Sequence, residues 1–386
     1  MSIPLLASTA ANAEASQIIG TINGVIQNIN SQALIGANAP TSLRNAVIGG
    51  DFGVNPWQRG TSFTGITSSL TYTADRFAAL GGASSSISVS RQTGTPVPGF
   101  AAHARFGRAS SNADLDPIKF IQVLTSAAST RFQGLPFVLS FYARAGANFS
   151  PASSLLTVTV GTGTGADESA ANFAAGSWTA YAGVTLYSSA GVSATGVTLT
   201  TSFQRFTLSG VVPAAATQVG FNFAMTPVGT AGASDYFEVT GVQLEVMPQG
   251  GVSATPFEWR PAPIERMLCQ HYFYRLNEGG VAVKQLMGQA NTTQIASLLV
   301  KFPVPMRTVT TTSLATTTAT VGSQTLTAAA GTATSSLSSL VVTASSATTE
   351  SMNLTGTLAA AGMTAGHATY LIGGGSTGSI SADAEL

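Results

Sequence analysis

Asp51-Phe52-Gly53, within the run Gly49 to Gly60 (GGDFGVNPWQRG), is the residue order that holds magnesium for phosphoryl transfer in protein kinases. That chemistry also needs a glycine-rich loop ahead of a strand lysine, and a catalytic loop upstream. The fifty residues before Asp51 contain no Lys and no His, so a glycine-flanked turn entering a strand is the reading that survives. Gly161-Thr162-Gly163-Thr164-Gly165-Ala166 approaches a dinucleotide fingerprint, which requires a following helix and an acid about 20 residues on. The stretch Tyr181 to Ala190 supplies no acid, which favours a loop between strands. His103, His271 and His367 are too scattered for metal-ligand spacing, so neither a metal nor a cofactor is expected.

Carboxylates are the next candidates. Asp114 and Asp116 suit either calcium ligation with loop carbonyls or the capping of turns. Glu238 and Glu245 have the type required for paired-carboxylate glycoside hydrolysis. Seven residues apart on a regular strand, they point to opposite faces, which favours a salt bridge or an edge position. Among the aromatics, Trp57, Trp178, Tyr181 and Trp259 lie in or beside turn-rich segments. Their rings can stack on sugar faces or fill a core. Trp57, Trp178 and Tyr181 are the candidate ligand-binding residues, and no catalytic residue is assigned.

The elements that must position these groups belong to a charge-poor chain. Of 386 residues only 8% are charged, with 16 acids against 16 bases, where roughly 25% is ordinary. No net field steers the chain to nucleic acid or to an anionic membrane, and no Lys or Arg follows Arg307. So little charge fits either a surface covered by partners or a composition bias of the source genome. No apolar run reaches the ~20 residues of a membrane span. Met1 to Ala13 lacks the basic start of a signal peptide. A single cysteine, Cys269, excludes an internal disulfide framework and predicts folding in a reducing compartment.

Between Ala10 and Ala33, Ile18, Ile22, Val25 and Ile29 follow a four-three-four spacing that predicts a helix with a short coiled-coil seam. β-branched seam residues favour three or more strands, so these four are the candidate oligomerisation residues. A helix lying on its own β domain fits the same spacing. Beyond Pro40 the chain reads as all-β, in alternating runs such as Phe137 to Tyr142, Leu155 to Val160 and Phe237 to Leu244. Ile264 to Leu276 is the other expected helix. The expected fold is therefore mainly β. An N-terminal helical anchor and linker (1–44) precedes a jelly-roll β-sandwich (45–263). A connecting helix (264–280) then leads to a smaller C-terminal β-sandwich (281–386).

Three groups of segments resemble a family of bacteriophage tail-fibre and other virion structural proteins with a carbohydrate-binding-like, galactose-binding-like jelly roll. The first is Asn45 to Phe52, Asn55 to Gly60 and Tyr72 to Phe77; the second is Val242 to Glu245 with Ala254 to Pro261. The third comprises Glu265, Cys269-Gln270, Tyr272 to Arg275, Phe302 to Arg307 and Asp383 to Leu386. The resemblance implies a non-enzymatic virion component assembled in the host cytoplasm, commonly trimeric. It would present its sandwich to a host-surface glycan, and the N-terminal segment would dock it to other virion proteins. The alternatives are a head or tail decoration or connector protein that binds nothing, and a capsule-degrading enzyme.

Overall fold

The computed structural model describes residues 17–22, 25–30, 43–94, 97–247, 254–276, 284–308, 324–328, 334–342, 347–358, 361, 363–373 and 380–386. Runs with an apolar side chain at every second position, closed by Gly, Pro, Ser or Asn, fold here as antiparallel strands. Two precede the sandwich: β1 (Gln17–Ile22) and β2 (Val25–Asn30). The sandwich opens with β3 (Ser62–Ile66), β4 (Thr71–Tyr72), β5 (Ala78–Leu80), β6 (Ile87–Thr93) and β7 (Ala102–Arg108). It continues with β8 (Ile118–Val123), β9 (Pro136–Ala145), β10 (Leu155–Gly163), β11 (Ala182–Gly183) and β12 (Leu186–Ser188). It ends with β13 (Ser193–Ala194), β14 (Gly196–Thr198), β15 (Gln204–Val211), β16 (Gln218–Met225) and β17 (Tyr236–Val246).

Two sheets enclose the core. One runs β11-β10-β16-β8-β5-β4 with β14 also on β10; the other runs β13-β12-β15-β9-β17-β7-β6-β3. Their inner faces meet in a file of phenylalanines, Phe52, Phe77, Phe120, Phe106 and Phe237, with neighbouring ring centroids 4.9–5.3 Å apart. All five rings are fully buried. Each contributes about 1.5–3 kcal/mol of apolar burial. The short helix Ala170–Ala175 covers the outside of the first sheet, where Phe173 lies over Gly220. A Cβ at Gly220 would stand 2.9–3.0 Å from Val123 and Phe173, so the close approach of helix to sheet requires glycine there.

Three sequence expectations change. The expected N-terminal helix is replaced, over the described part of 1–44, by the hairpin β1–β2, which pairs Ile18 with Ile29 and Ile22 with Val25. A four-three-four spacing is compatible with either geometry, and β-branched residues favour the strand. The remainder of that segment lies outside the described residues. The second expected helix is shorter: Ala262–Gln270 is helical, and the chain then re-enters a strand, β18 (Phe273–Leu276). Third, the C-terminal β region is not a second sandwich. Its strands are β19 (Lys284–Ala290), β20 (Ile295–Lys301), β21 (Gln324–Ala328), β22 (Thr334–Val342), β23 (Ser351–Leu358) and β24 (Ala368–Gly373). These close into a barrel because β24 pairs with both β19 and β21. Alternation within each strand is the same in a sandwich and a barrel; only this long-range pairing separates them.

The chain ends by returning to the sandwich. β25 (Ile380–Asp383) pairs with β18, and Leu386 is buried against Ile121, Phe173 and Trp178. The Leu386 carbonyl accepts from Tyr72 Oη at 2.7 Å and from Ala170 N at 3.2 Å. Behind it lies a buried charge network. Arg59 contacts Asp75 (3.6 Å), Asp383 (3.0 Å) and Glu385 (3.4 Å), while Arg76 pairs with Glu385 and donates to Val123 O at 2.7 Å. The Arg59 and Arg76 guanidinium carbons sit 3.5 and 3.6 Å over the rings of Phe273 and Tyr272. Burial pushes the Asp75 carboxyl up to about 7, although Arg59 and the Gln58 N–H both favour its ionised form. The contact of Arg59 with Asp75 is thus one part of a larger cluster.

Candidate functional site

Strands β7, β9 and β17 are neighbours in the eight-stranded sheet, and their alternation sorts side chains between two faces. Ala104, Phe106, Phe141, Ala143, Phe237 and Val239 point into the core. His103, Arg105, Tyr142, Arg144, Tyr236 and Glu238 therefore share the outer face. Cross-strand register places Glu238 opposite both Arg105 and Arg144.

Glu238 has no exposed surface, and its two oxygens are divided between the arginines. Arg105 Nε donates to Oε1 at 2.8 Å, Arg144 Nε donates to Oε2, and His103 Nε2 stands 3.4 Å from Oε2. Burial alone would raise this carboxyl. Hydrogen bonds from His103, Arg144 and Arg105 outweigh it and hold the group down at about 2. The arginine side chains remain about a third exposed, 33% for Arg105 and 31% for Arg144. Arg105 lies 4.1 Å over the Tyr236 ring and Arg144 4.8 Å over Phe203, so aromatic stacking orients both guanidiniums. His103 packs edge-on against Phe203 at 5.3 Å, and its Nδ1 is buried without a hydrogen-bond partner.

Aromatic rings continue this strip. Tyr142, two residues before Arg144, lies 5.5 Å from Phe100, which lies 4.6 Å from Trp259. Phe257 closes the cluster at 5.1 Å from Phe100 and 5.0 Å from Trp259. Trp259 is 50% exposed, which leaves ring surface open to solvent. The cluster depends on a bulge in β17, where the register shifts between Thr240 and Gln243. Gly241 takes φ +60° there, and a Cβ would stand 2.6 Å from the Phe100 ring. Only glycine combines that backbone with that approach.

The bulge also corrects the reading of the two glutamates. Val242 and Leu244 re-enter the core after it, so Glu245 faces the same side as Glu238 despite the seven-residue spacing. Neither carboxylate is free. Glu245 accepts from Thr255 N and Oγ1, both at 2.9 Å, and lies 3.6 Å from Arg44.

The sequence-predicted ring platforms sit elsewhere. Trp57 is 4% exposed, packs on Phe52 and donates Nε1–H to Phe52 O at 3.0 Å; Trp178 is 3% exposed and donates to Ser169 O at 3.0 Å. Both are core anchors with no ring face for a ligand. Tyr181 is half-buried against Phe173 and lies on the other sheet's side of the molecule. Of the four aromatics singled out by sequence, Trp259 alone joins the outer strip. Arg105, Arg144, His103, Phe203 and Tyr236 were missed, although charged or aromatic residues at alternate positions of His103-Ala104-Arg105 and Tyr142-Ala143-Arg144 signal an outward polar face.

The decoys resolve as architecture. Asp51 Oδ1 accepts from Gly53 N at 2.8 Å and caps the turn, with Phe52 in the core. Gly161 to Gly163 end strand β10 rather than forming a phosphate loop. Asp114 caps a turn through Asp116 N at 3.1 Å and holds Ser85 Oγ at 2.6 Å. Among the described residues, no group of three or more His, Cys, Asp or Glu side chains is placed to hold a metal.

No family model matches this chain, and no curated protein matches it. Solved structures similar to part of it are mostly carbohydrate-binding modules. A CBM4 module is 18% identical, with 39% of this chain and 74% of that one covered and a TM-score of 0.25. The CBM22-1–GH10 modules of Clostridium thermocellum xylanase 10B, complexed with xylohexaose, are 9% identical over 50% and 30% of the respective chains, with a TM-score of 0.28. The K1 cleaved adhesin domain of Porphyromonas gingivalis Lys-gingipain is 12% identical over 48% and 99%, with a TM-score of 0.26.

Proposed function

We propose that this chain is a glycan-binding component of a bacteriophage virion, and that the outer face of its eight-stranded sheet is the binding surface. One observation carries the reading: a strip of ring faces and hydrogen-bonding groups, from Trp259 through Tyr142 to Arg144 and Tyr236, held rigid from below by Glu238. Sugars present apolar C–H faces ringed by hydroxyls. A row of aromatics interleaved with guanidinium donors matches both features. The role is adhesion rather than catalysis, since the two buried glutamates of this face are already tied up by protein donors.

The virion assignment is supported by the segments that resemble phage structural proteins, and by the scarcity of surface charge. In this reading the chain is a homotrimer, assembled in the bacterial cytoplasm, with residues 1–44 docking it to the particle. The test is binding of the full-length protein to an array of bacterial surface polysaccharides. Trp259→Ala, at a half-exposed position outside the main core, is expected to fold normally and to bind about tenfold more weakly, the equivalent of about 1.4 kcal/mol. Equal binding by the variant would remove this face from the reading. No binding to any glycan or host cell by the wild type would favour a connector protein.

A further inference from the structure

We infer that the glycan taken by this face is acidic, and that Arg105 and Arg144 recognise a sugar carboxylate. This rests on the glycan-binding reading of the same face.

The argument begins with charge. Two guanidiniums share one carboxylate, that of Glu238, so the strip carries one positive charge more than its own acid cancels. Glu238 is fully buried behind them, whereas the arginine side chains are a third exposed. A ligand approaching from solvent therefore meets the cations first. Both arginines turn Nε towards Glu238, and Arg105 also sets one terminal nitrogen 2.7 Å from it. Arg144 thus keeps both of its terminal nitrogens clear of that carboxylate, and Arg105 keeps one. Among the described residues no protein acceptor is placed on the terminal nitrogens of Arg144. Guanidinium forks match the planar geometry of a carboxylate and bind it in two-pronged fashion.

Position supports the same conclusion. Arg105 stacks on Tyr236 and Arg144 on Phe203, so neither must be ordered when a ligand binds. His103 adds an independent sign of polar design: it is 5% exposed, and its Nδ1 lacks a partner among these rings. Tyr142 is two strand positions from Arg144, about 7 Å along the sheet. A sugar on the Tyr142–Trp259 rings would thus place a neighbouring residue's carboxylate at the arginines.

The test uses full-length protein and acidic polysaccharides containing galacturonate, glucuronate or sialic acid, each beside its carboxyl-reduced neutral counterpart. Affinity electrophoresis or calorimetry reads the binding. The expected result is binding to at least one acidic polymer, weakened about tenfold or more by carboxyl reduction, by Arg144→Gln, or by added salt. Arg144→Lys keeps the charge but not the fork and should recover only part of the affinity. Circular dichroism and urea midpoints establish that both variants are folded; if Arg144→Gln is not, Arg105→Gln takes its place. Equal binding to reduced and unreduced polymers would overturn the acidic assignment and leave glycan binding standing. Binding neither to these polymers nor to any other glycan would overturn both.

Discussion

At the scale of single residues, Glu238 shows how a buried charge can be both support and signature. Removing it would leave two neighbouring arginines without their shared carboxylate; retaining it fixes where their guanidiniums lie. Its carboxyl sits at about 2 in the folded protein against 4.5 for an ordinary glutamate. The unfolded chain therefore binds more protons between those values, so stability rises with pH across that interval. The contribution is full above about pH 4.5 and is lost as pH falls through about 2. Glu238→Gln is expected to be less stable than wild type by about 1.5–3 kcal/mol near pH 7. In urea titrations the difference should shrink towards pH 2. A gap of constant size would mean that packing, not the charge, is responsible. The sequence favoured a salt bridge for this glutamate, and it makes two, but its face was misread. Its spacing from Glu245 suggested opposite faces, and the bulge at Gly241, formed by pairing with two distant strands, reversed that.

At the scale of elements, the strands were legible and their partners were not. Alternation placed β9, β10 and β17 because apolar periodicity is a local property. Barrel closure and the return of the chain to a strand after Gln270 depend on contacts distant in sequence. The hairpin in place of a helix, by contrast, is a local pairing that the four-three-four spacing could not distinguish. The segments that carried the family resemblance are explained the same way. Asn55 to Gly60, Tyr72 to Phe77, Tyr272 to Arg275, Phe302 to Arg307 and Asp383 to Leu386 are far apart in the chain, yet they meet at one buried junction. There Arg307 holds Ala384 O at 2.7 Å and Glu385 O at 2.9 Å, and Gln58 Nε2 holds Phe273 O at 2.7 Å. These motifs recognise one another rather than a ligand. Deleting residues 383–386 leaves Arg76, which is 2% exposed, without its carboxylate. Loss of one partner from a buried pair costs about 3–5 kcal/mol, and the loss of Leu386 from its apolar seat adds to it. The truncated protein should show a large drop in urea midpoint for the sandwich itself. Glu385→Gln should show part of that drop. An unchanged midpoint would show that the tail merely rests on the sandwich.

At the scale of the molecule, a net charge of zero conceals an asymmetry between inside and outside. Among the described residues, seven acidic side chains are buried, Asp51, Asp75, Asp235, Glu238, Glu245, Glu258 and Glu265, against two basic ones, Arg76 and Arg108. Among the described residues whose side chains are not buried, basic groups outnumber acidic ones. A surface that poor in charge gives little protection against association. It also carries a groove of about 800 Å³ beside the helix Ala262–Gln270. Leu43, Ile264 and Met267 line it and are 54%, 43% and 51% exposed. A trimer would give this apolar surface a second copy to lie against, next to the point where residues 1–44 join the sandwich. Light scattering on the full-length 39.0 kDa chain is expected to report three times that mass. Ile22 and Val25 are register partners in the hairpin, so the double variant Ile22→Asp/Val25→Asp puts two like charges at paired strand positions. That variant should dissociate towards monomer, while its sandwich keeps the wild-type urea midpoint. A wild-type protein that stays monomeric at high concentration would refute the trimer and return the groove to a single-chain role.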